Sequence, residues 1–153
     1  EIAAWCKANG TTVYEYMIDI YKEVGFYYEG LINVVRKGRT GAEEITQMMS
    51  DFRSNPPKEI AGSPVEEVKD FKEQTCFVVS KNEKKVMDDI PKSNVLIFYT
   101  QDGTKVCVRP SGTEPKIKFY VSVKDSITSK EDFVAKLPKL EEKIAKVKQD
   151  LNL

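Results

Sequence analysis

Apolar residues near the start of the chain recur at steps of three and four, which is the spacing of an amphipathic helix. Residues Ile2–Ala8 form the first such stretch, and Gly10 is a candidate C-cap for it. Thr11 or Thr12 can cap a second helix, whose apolar positions continue as far as Gly25. The pattern therefore predicts two short helices before the first strand.

Two further stretches have the same helical spacing. One follows Thr40, which stands at capping-box distance from Glu43, and Pro56-Pro57 ends it. The other follows Ser129 and runs almost to the end of the chain. Pro138 interrupts that last pattern, so we expect a kink or a restart of the helix there.

Between the helices, β-branched and aromatic residues alternate with polar ones, which predicts strands. Asp102-Gly103 predicts a hairpin turn between two of them. The segment 72–93 is less regular, with strand character at Cys76–Val79, and we expect an insertion or a long hairpin there. The clearest strand patterns cover residues 26–35, 65–71, 95–99, 105–108 and 116–123.

The order strand, helix, several antiparallel strands, helix predicts an α+β fold. The economical arrangement is an antiparallel sheet of about four strands with two helices packed on one face, preceded by a helical segment. On the last strand, alternation separates a basic face from an apolar face that meets the helices. The basic face carries Lys116, Lys118 and Tyr120, and the apolar face carries Ile117, Phe119 and Val121.

Composition narrows the class of protein. The chain has 153 residues, of which 41% are hydrophobic and 31% charged, values typical of a globular protein with a real core. Lysine plus arginine and aspartate plus glutamate both number 24, so the formal net charge is zero. A nucleic-acid or membrane partner held by bulk electrostatics is therefore not expected.

Cysteine and histidine limit the chemistry further. Cys6, Cys76 and Cys107 are odd in number and widely spaced, which favours a reducing, cytoplasmic setting over a disulfide framework or a zinc site. Histidine is absent, which removes the usual general base. The acidic residues at positions 66, 67, 70 and 73 match no oxygen-ligand loop, so no metal site is predicted in this chain.

The connection Arg109–Pro115 carries the most distinctive chemistry. Arg109 offers five donors in a planar fork that can meet two phosphate oxygens at once. Ser111 and Thr113 add hydroxyls, and Gly112 allows backbone N–H groups to face an anion without an intervening side chain. These four residues predict an anion-binding cup at a sheet edge.

The remaining residues of this connection shape it. Pro110 and Pro115 fix φ at its two ends, and Glu114 belongs to the turn. A plain hairpin in which Arg109 only pairs with Glu114 is the alternative that composition leaves open. The basic turn 36–39 is a second, weaker phosphate candidate, for which a solvated loop is the simpler interpretation.

The run Arg-Pro-Ser-Gly-Thr-Glu-Pro, followed by Lys-Ile-Lys-Phe-Tyr, resembles the phosphate-binding loop of the α-D-phosphohexomutases. That family includes phosphoglucomutases, phosphomannomutases and phosphoglucosamine mutases, and the continuation is most similar to the glucose/mannose branch. The resemblance implies that residues 26–153 are the C-terminal domain, with a sheet similar to that of the TATA-binding protein. Residues 1–25 would be the helical tail of the preceding, third domain, and the chain a fragment of a longer enzyme.

The resemblance also implies a function. Such enzymes reversibly transfer a phosphoryl group between C1 and C6 of a hexose phosphate, using a phosphoserine on the first domain and Mg²⁺ on the second. The C-terminal domain grips the phosphate that is not being transferred. Lys118 is a further candidate contact, although Tyr120 occupies a position at which some members have arginine. The residues carried over as phosphate contacts are Arg109, Ser111, Gly112, Thr113 and Lys118.

On this interpretation the chain contains no catalytic residue and no metal ligand, and we expect it to be inactive alone. Its partners would be glucose or mannose 1- or 6-phosphate and the other three domains of the parent enzyme. Two alternatives stay open from the sequence: the C-terminal domain of a phosphoglucosamine mutase, and a non-enzymatic α+β interaction module.

Overall fold

The computed structural model describes residues 1–38 and 40–153. The helices of these residues are α1 (Ile2–Ala8), α2 (Val13–Val24), α3 (Gly41–Ser54) and α4 (Lys130–Asp150). The strands are β1 (Phe26–Val35), β2 (Glu59–Ile60), β3 (Ser63–Asp70), β4 (Thr75–Val78), β5 (Glu83–Val86), β6 (Leu96–Thr100), β7 (Lys105–Pro110) and β8 (Lys116–Asp125). None of the helices formed by the described residues combines the length and apolar character needed to cross a bilayer.

All the strand pairs are antiparallel, and the α+β class predicted from the sequence is confirmed. The strand order is β1-β8-β7-β6-β3-β4-β5, and β2 pairs with β3 beside this path. The sheet is therefore wider than the predicted four strands. Part of the excess comes from β4 and β5, which form a hairpin around a 3₁₀ turn at Val79–Lys81 within the irregular segment 72–93. All of β5 is exposed and mostly charged, so its sequence lacks the alternation that identifies a strand.

The core lies between one face of the sheet and helices α3 and α4, as predicted. From α3, the ring of Phe52 lies 6.0 Å from that of Phe98 on β6 and 5.9 Å from that of Phe119 on β8. From α4, Ile144 packs on β1 at Gly30, where a Cβ atom would lie 2.8 Å from the Ile144 Cδ1. The inward-facing residues of β8 are fully buried, and they are Ile117, Phe119, Val121 and Val123.

Helix α2 also contributes to this core. A capping box of Thr12 and Glu15 starts it, and Gly25, with φ of +103°, ends it. The ring of Tyr21 lies 5.0 Å from that of Phe26 on β1 and 6.1 Å from that of Phe133 on α4. Helix α2 is therefore packed against the sheet domain rather than separate from it.

Two predicted features of the longer helices are different in the structure. Thr40 precedes α3 with a helical backbone, so its hydroxyl does not cap the helix and donates instead to Glu44 Oε1 at 3.3 Å. Helix α4 continues through Pro138 without a restart. The carbonyl that Pro138 leaves without a donor belongs to Val134, which lies on the exposed side of the helix where water can replace the missing bond.

Candidate functional site

Strand pairing positions the predicted anion-binding residues. In the antiparallel pair β7–β8, Arg109 lies opposite Lys118 and Pro110 lies opposite Ile117. The backbone N–H of Ser111 donates to the Lys116 carbonyl at 2.7 Å, which extends this pairing by one residue. The connection is consequently the five residues 111–115, two shorter than predicted, because Arg109 and Pro110 are part of β7.

Backbone hydrogen bonds hold this loop at its C-terminal end. The N–H of Lys116 donates to the Glu114 carbonyl at 2.7 Å, and the N–H of Arg36 donates to the Pro115 carbonyl at 2.9 Å. Within the loop, the N–H of Thr113 donates to Ser111 Oγ at 3.4 Å, a weak bond. Since Ser111 Oγ accepts that bond, its hydroxyl proton stays free to be donated elsewhere.

Glu114 pairs with Lys116 and not with Arg109, the partner that the plain hairpin would require. Glu114 Oε2 lies 2.7 Å from Lys116 Nζ, and this hydrogen bond and charge, with a smaller effect of Lys118, lower the pKa of Glu114 below its ordinary value. An exposed pair of this kind contributes little to stability. The alternative in which Arg109 pairs with Glu114 is therefore wrong.

Arg109 and Lys118 are left as adjacent cations on the open face of the sheet. Cβ atoms of directly opposed residues are about 5 Å apart, and like charges at that distance are unfavourable. Within residues 1–38 and 40–153, neither side chain forms an ion pair or a hydrogen bond with the protein. This uncompensated pair creates a local positive potential in a chain whose net charge is zero.

A cavity of about 190 Å³ opens between these two cations and the loop. Of the predicted contacts, Arg109, Ser111, Gly112 and Lys118 line it, and Thr113 is exposed on the loop outside the lining. Its lining is completed by Pro110 and Tyr120. Tyr120 was not predicted as a site residue, although its position two residues from Lys118 on the same strand face was the signal that could have found it.

The second candidate, the basic turn 36–39, does not contribute a side chain to this cavity as far as it is described. Arg36 Nε pairs with Glu44 Oε2 of α3 at 3.3 Å, and only its backbone contacts the loop. Arg39, the last residue of that turn, lies outside the described residues.

The acidic residues near β3 are engaged in structural pairs. Asp70 Oδ2 accepts a hydrogen bond from Arg53 Nε at 3.0 Å, and Glu67 pairs with Lys69 at 3.4 Å. The part of the chain that the structure describes has no group of three His, Cys, Asp or Glu side chains that could hold a metal ion. The cavity itself is lined by two cations, so its donor set suits an anion rather than Mg²⁺.

The groups around the cavity suit the binding of an anion, and among the described residues no side-chain base is bonded to Ser111 Oγ. In the described residues Ser111 Oγ has only the Thr113 N–H as a partner, so no side-chain base activates it as a nucleophile. An arginine fork, a lysine, a hydroxyl and a glycine backbone around one cavity form a receptor for an anion with several oxygens.

Comparison with known proteins adds independent information. The protein-family model of the phosphoglucomutase/phosphomannomutase C-terminal domain matches residues 31–137. The chain is 38% identical over 122 residues to the phosphoglucomutase of Staphylococcus aureus strain MRSA252, and 37% identical over 122 residues to that of strain bovine RF122/ET3-1. Each alignment covers 80% of this chain and 22% of the relative, so the chain spans about a fifth of the length of these enzymes.

A solved structure of an open-form phosphoglucomutase, the exocytosis-sensitive phosphoprotein pp63/parafusin from Paramecium, is also similar. Its superposition covers 91% of this chain and 23% of that chain, with 15% sequence identity and a TM-score of 0.43.

Proposed function

The chain belongs to the phosphoglucomutase/phosphomannomutase C-terminal domain family, and we propose that it binds the non-transferred phosphate of a hexose phosphate. In the parent enzyme this would occur during reversible phosphoryl transfer between the C1 and C6 positions of the sugar. The proposal rests on two neighbouring cations, Arg109 and Lys118, that have no ion-pair partner among the described residues. They lie beside Ser111 and Gly112 in one cavity.

Each residue has a distinct role in the proposed site. Arg109 supplies the bidentate fork, and Lys118 supplies a compact second charge from the neighbouring strand. Ser111 donates its hydroxyl proton, and the backbone N–H groups of Gly112 and Thr113 face the anion when the loop adjusts around it. Pro110, Glu114 and Pro115 shape the loop without contacting the ligand.

The transfer step itself is assigned to other domains of the parent enzyme. Phosphoryl transfer needs a nucleophile, a positioned metal and alignment of the reacting groups. A phosphoserine on a preceding domain would supply the phosphoryl group, a free hydroxyl of the sugar would be the nucleophile that displaces the serine oxygen, and a further domain would supply the Mg²⁺ site. No group of acidic, cysteine or histidine side chains among residues 1–38 and 40–153 fits a metal ion, and the chain alone is expected to be inactive.

Phosphate binding remote from the reacting centre still serves catalysis. Such binding energy orients the substrate and favours closure of the domains around it. On this proposal the partners are the three other domains and glucose or mannose 1- or 6-phosphate, in the cytoplasm.

A titration of the 153-residue chain with glucose 1-phosphate tests the proposal. Charge-assisted hydrogen bonds contribute about 1.5–3 kcal/mol each, which after the costs of association leaves an expected Kd in the millimolar range or weaker. In NMR spectra the backbone amides of Ser111, Gly112 and Thr113 are expected to shift first. Equal shifts scattered over the whole surface would contradict a specific site.

Substitution of Arg109 provides the matched comparison. Arg109→Ala is expected to weaken glucose 1-phosphate binding about tenfold or more, with little change in the free energy of unfolding, because the side chain is exposed. Lys105→Ala removes the same charge from the same face of β7, outside the cavity, and is expected to change binding less than about twofold. An unfolded Arg109→Ala chain, or one that binds as tightly as the parent, would make Arg109 a structural residue.

A further inference from the structure

The open face of the sheet changes character one row away from the basic pair. Tyr120 on β8 lies opposite Cys107 on β7 and opposite Leu31 on β1, so the three residues form a row across three neighbouring strands. This row lies next to the Arg109–Lys118 row, at a distance of two residues on both β7 and β8. Two residues correspond to about 7 Å along a strand.

This neighbouring row contains no Asp, Glu, Lys or Arg side chain. Burial raises the pKa of the Cys107 thiol above its ordinary value, so the thiol stays protonated. The side chain of Leu31 is 52% exposed and that of Tyr120 is 37% exposed. An apolar and aromatic surface therefore adjoins the cationic cavity without a boundary between them.

Tyr120 belongs to both regions, since it lines the cavity together with Arg109 and Lys118. In the described part of the chain its hydroxyl forms no hydrogen bond with another residue, and its ring stacks on no other aromatic ring. Its neighbours among the described residues are therefore its cross-strand partners Cys107 and Leu31, which leave part of the ring and the hydroxyl open to a ligand. Binding sites for small molecules commonly combine such an aromatic surface with a few convergent polar groups.

We propose that Tyr120 is the platform for the sugar ring of the bound hexose phosphate, and so determines selectivity for a sugar ester over inorganic phosphate. This inference rests on the proposed function, because the phosphate must first occupy the cavity beside Arg109. A sugar ring attached to that phosphate reaches the next row of the sheet. There its C–H face packs against the negative face of the tyrosine ring, and Leu31 extends the apolar surface.

Recognition of the phosphate by the cavity and contact of the sugar with Tyr120 both contribute to binding, and a single affinity measurement combines the two. The cavity recognises phosphate oxygens, so inorganic phosphate and glucose 1-phosphate share that contribution. The contact between the tyrosine ring and the sugar forms only when a sugar is attached to the phosphate. The ratio of the two dissociation constants, measured for the same chain, isolates the contribution of Tyr120 from that of the cavity.

The test is an NMR titration of the 153-residue chain and its variants with inorganic phosphate and, separately, with glucose 1-phosphate. Tyr120→Ala is expected to weaken glucose 1-phosphate binding about two- to tenfold more than it weakens inorganic phosphate binding, since only the sugar ester loses the ring contact. Tyr120→Phe keeps the ring and is expected to retain the selectivity of the parent. Tyr27→Ala removes a 44% exposed tyrosine from the same sheet face, opposite Lys124 and outside the cavity, and is expected to leave both affinities unchanged.

The outcomes distinguish this inference from the proposed function. If both ligands shift the amides of residues 111–113 but Tyr120→Ala changes the two affinities equally or not at all, the platform is overturned and the phosphate site stands. The same holds if the parent chain binds the two ligands equally well. If neither ligand shifts those amides, the phosphate site fails and the platform fails with it.

Discussion

Gly112 occupies a position at which the chain itself does not require glycine. Its φ lies outside the left-handed region that favours glycine, and a Cβ atom built there would meet no heavy atom within 4 Å. Gly41 is the opposite case, because a Cβ there would overlap the carbonyl of Arg36. Since neither backbone conformation nor packing explains Gly112, the close approach of a ligand to the loop backbone is the explanation that the proposed site supplies.

Replacing Gly112 with alanine is therefore expected to separate stability from binding. At an unstrained position Gly→Ala reduces the entropy of the unfolded chain, so the free energy of unfolding should stay the same or rise by about 0.4–1 kcal/mol. The added methyl group should nevertheless weaken glucose 1-phosphate binding, because it stands where the anion approaches the backbone. Urea unfolding and NMR titration of the same samples measure the two effects.

Gly41→Ala provides the contrast, since it should destabilise the fold without belonging to the cavity lining. A Gly112→Ala chain that binds glucose 1-phosphate as tightly as the parent would show that the ligand does not approach this part of the loop.

At the scale of elements, the β6–β7 turn is fixed to helix α4 through one carboxylate. Asp102 accepts hydrogen bonds from Thr100 Oγ1 at 2.6 Å, from the Thr104 N–H at 3.1 Å and from Lys143 Nζ of α4 at 2.6 Å. Burial alone would raise the pKa of Asp102, but these hydrogen bonds outweigh it and hold that pKa well below its usual range.

This shift predicts how stability depends on pH. A carboxyl group whose pKa is lower in the folded chain stabilises the fold above its unfolded pKa, near 3.8, and this stabilisation is lost as pH falls towards the folded value. Asp102→Asn should thus lower the free energy of unfolding at pH 7 by about 1 kcal/mol, a value reduced because the side chain is 38% exposed. The variant should also lose less stability than the parent below pH 4.

Urea unfolding at pH 7 and pH 3 measures both effects. The control is Asp19→Asn, which removes an exposed i,i+3 pair with Lys22 and is expected to change little at either pH. Equal loss of stability on acidification in the parent and in Asp102→Asn would rule out Asp102 as the source of the acid dependence.

The sequence predicts those elements whose stabilising pattern is local. Alternation on β8 identified its buried face, and the pairing of β7 with β8 then follows from the short connection, which brings Arg109 beside Lys118. The charged edge strand β5 has no such pattern and is held by pairing with β4, which no local window contains. The backbone conformation of Thr40 and the choice of Lys116 as the partner of Glu114 also depend on neighbours, so neither was predictable.

At the scale of the whole molecule, α2 connects the N-terminal helices to the sheet. Ile18 on this helix is 3% exposed and belongs to the core cluster of the domain, and the partly buried Tyr21 packs against that cluster at Phe26 and Phe133. Helix α1 differs, because its Trp5 is 51% exposed. The boundary predicted between residues 25 and 26 rests on the resemblance to multidomain enzymes. In the structure, α2 lies before that boundary and packs on Phe26 and Phe133, which lie after it.

A chain shortened to residues 26–153 is accordingly expected to be less stable than the 153-residue chain. Burying a large apolar side chain contributes about 1.5–3 kcal/mol, and α2 places Ile18 fully, and Tyr21 in part, against the sheet domain. The free energy of unfolding should fall by several kcal/mol, which is a large fraction of the 5–15 kcal/mol typical of a domain. Urea unfolding of the two chains measures the loss, and a chain of residues 10–153, which lacks only α1, should lose much less. If residues 26–153 unfolded at the same urea concentration as the longer chain, α2 would contribute nothing to the stability of the sheet domain. The predicted boundary between residues 25 and 26 would then also separate two energetically independent parts of the chain.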